Sequence, residues 1–308
     1  MNKVLRLLAA SAFCALMLHA AEPTVYFSFD RSSRADFGGT GSGTGVTGAT
    51  EDHGVIGQIT RGTDTTPDKY LDAGISGKAL RVGNSRDGKA IQNYRYNLQP
   101  GISSAQGAVS LWIKANDWNP AKSLNFHHFV SGSSKTERLI IYKYCENTRL
   151  VALLGPLSKG HASAKADIST WKTDTWHHIC ATWDAKILEI YMDGNKVDEA
   201  PRTAAPGATD FNNLQFSEYW TGNPGSSSVD EVRIYNRRLT RDEVVADYML
   251  NAKNAVGDSA AIVMNVAQST PVIDGTIRSG EYAFSISGMN NTMNAPVQYS
   301  QKQAECMA

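Results

Sequence analysis

The sequence predicts an all-β sandwich that carries one short helix. Short segments in which apolar and polar residues alternate recur from Gly74 onward, and clusters of turn residues separate them. A convincing helical pattern occurs only after Thr240. Alternation with a period of two is typical of strands with one buried face. Many short strands between regular turns indicate two packed sheets rather than helices packed on a sheet.

The segment Ala108–Ala115 shows the strand pattern most clearly. Its apolar side chains occupy one parity, whereas Ser110, Trp112 and Lys114 occupy the other. Successive side chains of a strand point to opposite faces, so the apolar parity is predicted to face the core. The segment Val25–Phe29 is predicted to be the opening strand.

Two hairpins are predicted from turn residues. Arg138–Tyr144 and Arg149–Leu154 flank a four-residue connection that begins at Cys145. Asp193-Gly194 follows a run of β-forming residues. Asp-Gly is a strong signal for a type I′ turn, because both central positions of that turn need positive φ.

The helix is predicted from its N-terminal cap. Thr240 and Glu243 form a capping box, in which each side chain accepts a hydrogen bond from the backbone of the other residue. Leu239 and Val244 occupy the positions of a hydrophobic staple. An apolar stripe continues this helix to about Leu250.

The N-terminal residues 1–20 are predicted to be a secretory signal peptide. Lys3 and Arg6 precede the apolar run Leu7–Leu18, and Ala20 offers a small residue for cleavage. The remainder contains no run apolar enough to span a bilayer. Removal of residues 1–20 takes away two cations and no acid, and lowers the formal net charge from 0 to −2. This near-neutral charge gives no electrostatic preference for nucleic acid. The signal peptide predicts a secreted, periplasmic or cell-surface protein.

Three segments carry a family resemblance: Trp176–Gly194, Val229–Glu243 and Gly74–Gly83. They resemble LamG-like jelly rolls of the concanavalin A-like lectin/glucanase superfamily. The resemblance implies an antiparallel two-sheet jelly roll over residues 22–252. That fold carries sugar binders, enzymes and adhesion modules alike, so it does not decide the function.

The residues after this domain change in character. Residues 253–260 are small and polar and are predicted to form a linker. Pro271–Tyr282 resembles the opening of CBM9-like or DOMON-type sandwiches. Residues 261–308 are therefore predicted to be the incomplete start of a second β module, or else a disordered tail.

The resemblance also implies a structural calcium ion. Family members often carry calcium where the opening strand meets the strand before the closing helix, and the matching residues here are Asp30 and Asp230. Backbone carbonyls and water would supply the other ligands. The alternative is that Asp30 caps a turn and Asp230 makes a structural hydrogen bond.

Aromatic residues in turn-rich segments are the candidate sugar contacts. Sugar rings stack on exposed aromatic faces, and functional side chains concentrate in loops. Trp118, Tyr219 and Trp220 meet both conditions. The alternative for each ring is packing.

Other chemistry has weaker support. Alternating carboxylates on one strand, which a glycosidase would need, are absent, and so is a GxSxG nucleophile motif. No catalytic residue is therefore predicted, although the enzyme question stays open. Cys145 and Cys180 are predicted either to form a disulfide or to be two small buried side chains.

The function predicted from the sequence is an exported carbohydrate-binding module, an accessory part of a larger secreted polysaccharide-processing or cell-surface protein. The ligand would be a polysaccharide or an extracellular protein. A structural or adhesive protein–protein module is the first alternative. A glycoside hydrolase or polysaccharide lyase is the second.

Overall fold

The computed structural model describes residues 20–33, 35–38, 67–84, 90, 94–134, 136–146, 148–156, 160–207, 210–217 and 225–256. The predicted signal peptide, apart from Ala20, and the predicted module at 261–308 lie outside these residues.

The described strands, in chain order, are β1 (Val25–Phe27), β2 (Phe37–Gly38), β3 (Leu71–Ala73), β4 (Lys78–Asn84), β5 (Tyr94–Ile102), β6 (Gly107–Ala115), β7 (His127–Ser133), β8 (Glu137–Lys143), β9 (Arg149–Pro156), β10 (Ala162–Asp167), β11 (Trp176–Trp183), β12 (Ile187–Met192), β13 (Asn195–Pro201), β14 (Phe211–Phe216) and β15 (Gly225–Tyr235). The helices are a 3₁₀ turn (Pro67–Tyr70), α1 (Arg241–Met249) and α2 (Ala252–Val256).

These strands form two antiparallel sheets that pack face to face, as the sequence predicts. Sheet A has the order β13-β12-β11-β6-β15-β1-β2, and β4 and β3 are added beside β15. Sheet B has the order β10-β9-β8-β7-β14-β5. Neighbours in space are often distant in sequence, which is characteristic of a jelly roll.

Strand β15 changes its partner halfway along its length. Its residues Gly225–Val229 pair with β4, whereas Val232–Ile234 pair with β1. The register with β6 shifts between Asp230 and Arg233, and Glu231 adopts a positive φ of 51°. A bulge of this kind redirects side chains and interrupts pairing. We call this place, where β1, β4 and β15 meet, the strand junction.

The core lies between the two sheets. The apolar parity of β6 faces it, which confirms the predicted alternation, and Phe27 of sheet A meets Phe216 of sheet B edge to face at 5.5 Å. The opposite parity of β6 is not solvated, because Ser110 and Trp112 are also fully buried. Trp112 stacks on Tyr248 of α1, so this helix covers the outer face of sheet A there.

The predicted turn and helix signals are confirmed. Asp193 and Gly194 have φ values of 49° and 76° between β12 and β13. Thr240 and Glu243 form both halves of the capping box before α1. The short helix α2 occupies the start of the region that the sequence predicts as a linker.

Strands β8 and β9 form the predicted hairpin, but the disulfide proposed for its connection is wrong. Cys145 and Cys180 are both free thiols. Cys145 lies just after β8 of sheet B. Cys180 is buried on the outer side of sheet A, beneath α1 with Val244. The whole core therefore separates the two thiols, and Cys180 has the alternative role of a small buried side chain.

Candidate functional site

Trp118 packs inside the protein rather than standing on its surface. Its side chain is 7% exposed, and its ring lies parallel to the His127 imidazole at a centroid distance of 3.7 Å. Its indole N–H donates to the Ser227 hydroxyl at 3.1 Å. The prediction of an exposed ring at this loop position is wrong, because the loop folds back onto β7 and β15.

The other two predicted sugar contacts, Tyr219 and Trp220, lie outside the described residues. Their role stays a prediction.

The strand junction brings together the two carboxylates predicted to bind calcium. Asp30 and Asp230 both contact the turn Gly74–Lys78, which leads into β4. Asp30 is exposed, and its Oδ1 accepts a hydrogen bond from the Lys78 amide at 2.9 Å. Gly77 has a φ of 53°, and a Cβ there would overlap Asp30 Oδ1. The turn therefore needs glycine both for its backbone and for the close approach of the carboxylate.

Asp230 holds the other side of the same turn and is fully buried. Its Oδ2 accepts hydrogen bonds from the amides of Ile75 at 2.8 Å and Ser76 at 3.3 Å. Its Oδ1 accepts one from the Glu231 amide at 2.7 Å. Burial and the nearby Glu231 carboxylate raise the pKa of Asp230 to about 9.

Asp30 and Asp230 thus make the structural hydrogen bonds that the sequence analysis gives as the alternative to a calcium site. Calcium takes six to eight oxygen ligands. The described residues contain no group of three or more His, Cys, Asp or Glu side chains that could hold a metal. Asp30 Oδ2 makes no hydrogen bond within the described structure and is the oxygen that a cation could use without displacing an amide.

A buried polar network lies between sheet A and α1. Ser110 contacts both His178 Nε2, at 2.7 Å, and a carboxylate oxygen of Asp247. Burial raises the pKa of Asp247, but His178 and the charge of Arg233 together hold it below its usual value. Arg233 also pairs with Glu231, so the network extends from α1 to the strand junction.

Serine, histidine and aspartate are the residue types of a hydrolytic triad, but this arrangement does not form one. A triad needs the carboxylate on one imidazole nitrogen and the serine on the other. Here both Ser110 and Asp247 lie on the Nε2 side of His178, and Nδ1 has no hydrogen-bond partner among the described residues. All three side chains are fully buried, so a substrate could not reach them.

The sequence analysis missed a cluster of aromatic side chains on the outer face of sheet B. Its members, which we call the aromatic cluster, are Phe126, His128, Tyr142 and Tyr144. Ring centroids lie 5.1 Å apart for His128–Tyr142 and 5.5 Å apart for Phe126–Tyr144. All four side chains are half-buried, so each keeps part of its surface accessible.

Strand pairing explains why these rings meet. On β8, Leu139 and Ile141 face the core, so Tyr142 points to the other side of the sheet. Tyr142 lies directly opposite His128 of β7. Directly opposed residues share one face of a sheet and bring their side chains together.

The loop before β7 places Phe126 over this pair. Lys143 faces the other way from Tyr142, and its ammonium group donates to the carbonyl oxygens of Ser123 and Asn125. Burial lowers the pKa of Lys143. These contacts fix the loop against β8 without using any member of the aromatic cluster.

A cleft of about 610 Å³ lies elsewhere, between β12, β13 and the start of α1. Its lining lysine and one of its arginines are already paired: Glu189 pairs with Lys196 at 3.2 Å and with Arg238 at 2.7 Å, and these cations also pair with Glu199 and Asp184. It offers a ligand neither an unpaired charge nor an exposed aromatic face, since Tyr191 is buried.

Comparison with known families agrees with this architecture. A family model described as the concanavalin A-like lectin/glucanases superfamily matches residues 92–245, which is half of the chain. The chain belongs to this superfamily. A comparison of this concanavalin A-like chain with curated proteins gave no match.

Solved structures share the fold at low sequence identity. The binding domain of botulinum neurotoxin serotype G is 15% identical, with a TM-score of 0.56, 75% of this chain covered and 51% of the other. Domain 4 of AbnA, a GH43 extracellular arabinanase from Geobacillus stearothermophilus in complex with arabinotriose, is 19% identical. Its TM-score is 0.53, with 75% of this chain and 100% of the other covered. The chain thus spans about half the length of the neurotoxin domain.

No helix in the described part of this concanavalin A-like chain is both long and apolar enough to cross a membrane.

Proposed function

We propose that this protein is an exported carbohydrate-binding module whose sugar ligand stacks on the aromatic cluster of sheet B. The observation that carries the proposal is the cluster itself: four half-buried rings on one outer face, with His128 and Tyr142 directly opposed across paired strands.

Aromatic rings bind sugars because the C–H faces of a pyranose are apolar while its edges carry hydroxyl groups. Binding sites of this kind combine aromatic surface with a few polar groups that fix orientation. Tyr142 and His128 provide both in one place, since each has an apolar ring and a polar edge. Their strands make them rigid, so binding costs little side-chain entropy.

The relatives are compatible with an accessory role. AbnA domain 4 is part of an extracellular arabinanase and was solved with arabinotriose, and its entire length matches this fold. By analogy, the protein would direct a larger secreted polysaccharide-processing protein to its substrate. A likeness at 19% identity supports the fold and not the sugar, so the ligand must come from experiment.

Replacement of Tyr142 by alanine should weaken glycan binding by about tenfold, because loss of the ring removes about 1.4 kcal/mol or more of stacking and apolar contact. Affinity electrophoresis or isothermal titration on a panel of soluble polysaccharides measures the effect. Tyr142→Phe is the matched control: it keeps the ring and should bind nearly as well. Equal affinity of Tyr142→Ala and the parent protein would place the sugar elsewhere, with Tyr219 and Trp220 the next residues to replace.

The adhesive alternative predicts a different result. Every polysaccharide on the panel would fail to bind, and a separate pull-down with extracellular proteins would capture a protein partner. Aromatic residues are enriched in protein interfaces too, so the cluster by itself is compatible with that function.

We also propose that Asp30 and Asp230 hold a structural calcium ion at the strand junction. Both carboxylates contact the turn Gly74–Lys78, and Asp30 Oδ2 is available for a cation. Calcium binds carboxylate, backbone carbonyl and water oxygens, so carbonyl oxygens and water would have to supply the ligands beyond the two carboxylates. The ion would connect three strands and so strengthen the fold.

Calcium at a concentration about 100 times its dissociation constant should raise the melting temperature by about 5 °C or more relative to EDTA. Asp30→Asn keeps the hydrogen bond from Lys78 but removes the charge, and it should abolish the calcium-dependent shift. Asp72→Asn, at an exposed acid of β3, is the control and should retain it. The same melting temperature in calcium and in EDTA would exclude the site.

A further inference from the structure

Leu124 is the most exposed of the large apolar side chains in the described part of the chain, with 73% of its surface accessible. It lies two residues before Phe126, a member of the aromatic cluster. The Cα atoms of these two residues are therefore at most about 7 Å apart, and Leu124 adjoins the cluster. A single exposed leucine is ordinary, but one that extends a patch of accessible rings marks a binding surface.

The loop before β7 holds Leu124 in this position. The amide of Ser123 donates to the carbonyl oxygen of Asn119 at 2.8 Å, and the Ser123 hydroxyl lies 2.9 Å from Nε2 of the buried His127. On the other side of the leucine, the Asn125 amide donates to the Ser123 hydroxyl at 3.3 Å. Hydrogen bonds thus fix both neighbours of Leu124.

A buried cation completes this arrangement. Lys143 is fully buried, and its ammonium group donates to the carbonyl oxygens of the two residues that flank Leu124, which are Ser123 and Asn125. Burial of an ammonium group costs free energy, and it lowers the pKa of Lys143. The flanking carbonyl groups face Lys143, whereas the leucine side chain between them is exposed to solvent. The protein therefore stabilises a loop that presents an apolar side chain beside the rings.

A leucine at the edge of an aromatic surface selects among sugars. An unsubstituted sugar has hydroxyl groups around its ring, and a hydroxyl group against leucine loses hydration without gaining a hydrogen bond. A small apolar substituent, such as an acetyl ester or a methyl ether, replaces that hydroxyl group and buries its own methyl group against the leucine. Both effects favour a substituted sugar over an unsubstituted one.

The apolar surface suits a small group better than a membrane or a protein. The segment Asn119–Asn125 has one leucine and one cation, Lys122, whereas stable attachment to a bilayer takes more than one such signal. A standard protein interface needs about 800 Å² on each partner. Ile140, the next outward side chain of β8 before Tyr142, is only 6% exposed, so the accessible apolar surface does not continue along the strand.

We propose that this site binds a polysaccharide whose sugars carry small apolar substituents, with a sugar ring on the aromatic cluster and a substituent against Leu124. This inference rests on the carbohydrate-binding function proposed above and specifies its ligand class. Acetyl esters and methyl ethers share the chemistry that the leucine recognises, and the experiment distinguishes between them.

Paired ligands that differ in the substituent test the inference on the full chain. Oligosaccharides of acetylated glucomannan are compared with their alkali-deacetylated form, and methylcellulose is compared with hydroxyethylcellulose, by isothermal titration and affinity electrophoresis. The ligand with the apolar substituent should bind about fourfold or more tightly in at least one pair, which is the gain expected from burial of one methyl group. Preference in the first pair alone identifies an acyl ester, and preference in the second alone identifies an alkyl ether.

Variants then assign the preference to Leu124. Leu124→Ser should bind both members of a pair equally, whereas Leu124→Met keeps an apolar side chain of similar volume and should retain the preference. Leu250→Ser removes a leucine that is 48% exposed at the end of α1, and it should bind like the parent protein. Near-ultraviolet circular dichroism of each variant verifies that its fold is intact.

The outcomes separate this inference from the proposed function. Equal binding of substituted and unsubstituted sugars, with Tyr142→Ala impaired, overturns the apolar substituent and leaves the carbohydrate-binding function standing. A preference that Leu124→Ser retains overturns the role of Leu124. Sedimentation with phosphatidylcholine vesicles that Leu124→Ser abolishes, without a preference in either pair, overturns the inference in favour of a membrane surface. Failure of every polysaccharide to bind overturns the proposed function itself.

Discussion

Replacement of Arg233 by methionine is expected to lower the free energy of unfolding by about 3–5 kcal/mol. The Arg233 side chain is nearly buried and pairs with two carboxylates, Glu231 and Asp247, the latter at 3.4 Å. Its guanidinium group also lies over the Tyr26 ring at 4.8 Å. Methionine has a comparable length but leaves two buried carboxylates without their cation. Desolvation of an unpaired charge is the main cost.

Chemical denaturation of both proteins measures this change. Arg237→Met is the matched control: Arg237 also pairs with a carboxylate, but its side chain is 48% exposed, so that variant should lose about 1 kcal/mol or less. Adding Asp247→Asn to Arg233→Met should recover part of the loss, because the second change removes one of the unpaired charges. A loss below about 1 kcal/mol for Arg233→Met would show that solvent reaches these carboxylates in the folded state.

Replacement of Trp112 by alanine is expected to cost about 3–5 kcal/mol, since it leaves a cavity between sheet A and α1. Trp112 is fully buried, its ring stacks on Tyr248 at 5.6 Å, and it lies 5.3 Å from the His178 ring. The loss of these contacts should loosen α1 first, because α1 contributes Tyr248 to the contact.

Trp112→Phe distinguishes packing from hydrogen bonding at this position. The indole N–H of Trp112 is buried without a hydrogen-bond partner in the described structure. Phenylalanine keeps most of the ring and removes the unsatisfied donor, so its cost should be about 1 kcal/mol or less. Thermal and urea unfolding of the two variants provide the comparison. A phenylalanine variant as unstable as the alanine variant would show that the smaller ring does not preserve the packing against Tyr248.

Both predictions concern the outer face of sheet A, where the sequence pattern is incomplete. Ser110 and Trp112 share the polar parity of β6, so the sequence places them on the side away from the core without indicating what lies there. The face is covered by α1, and the polar side chains form a network that reaches Glu231 and Asn251. Alternation along one strand reports which residues share a face, but it does not report what packs on that face.

The predicted site residues show the same limit of sequence patterns. The pairing of Asp30 with Asp230 came from a family resemblance, and the structure brings both to one turn. Trp118 was chosen for its loop, yet the loop packs inward. The aromatic cluster is not visible in the sequence because Phe126 and His128 lie in one segment and Tyr142 in another, and only the register of β7 against β8 makes them neighbours.

Local sequence patterns were sufficient to predict the structure wherever the interactions that determine it lie within a few residues of one another. The capping box at Thr240, the turn at Asp193-Gly194 and the alternation of β6 are of this kind, and so is the all-β class that follows from them. Tertiary structure alone decided which outward side chains keep accessible surface: Tyr142 is half-buried, whereas Ile140, two residues before it on the same face, is buried. A covered residue and an accessible residue have the same period along the strand, and they differ only in contacts made by residues far away in the sequence. For this reason the fold of the domain was predictable, whereas Tyr142 became a candidate for ligand binding only once the strands were paired.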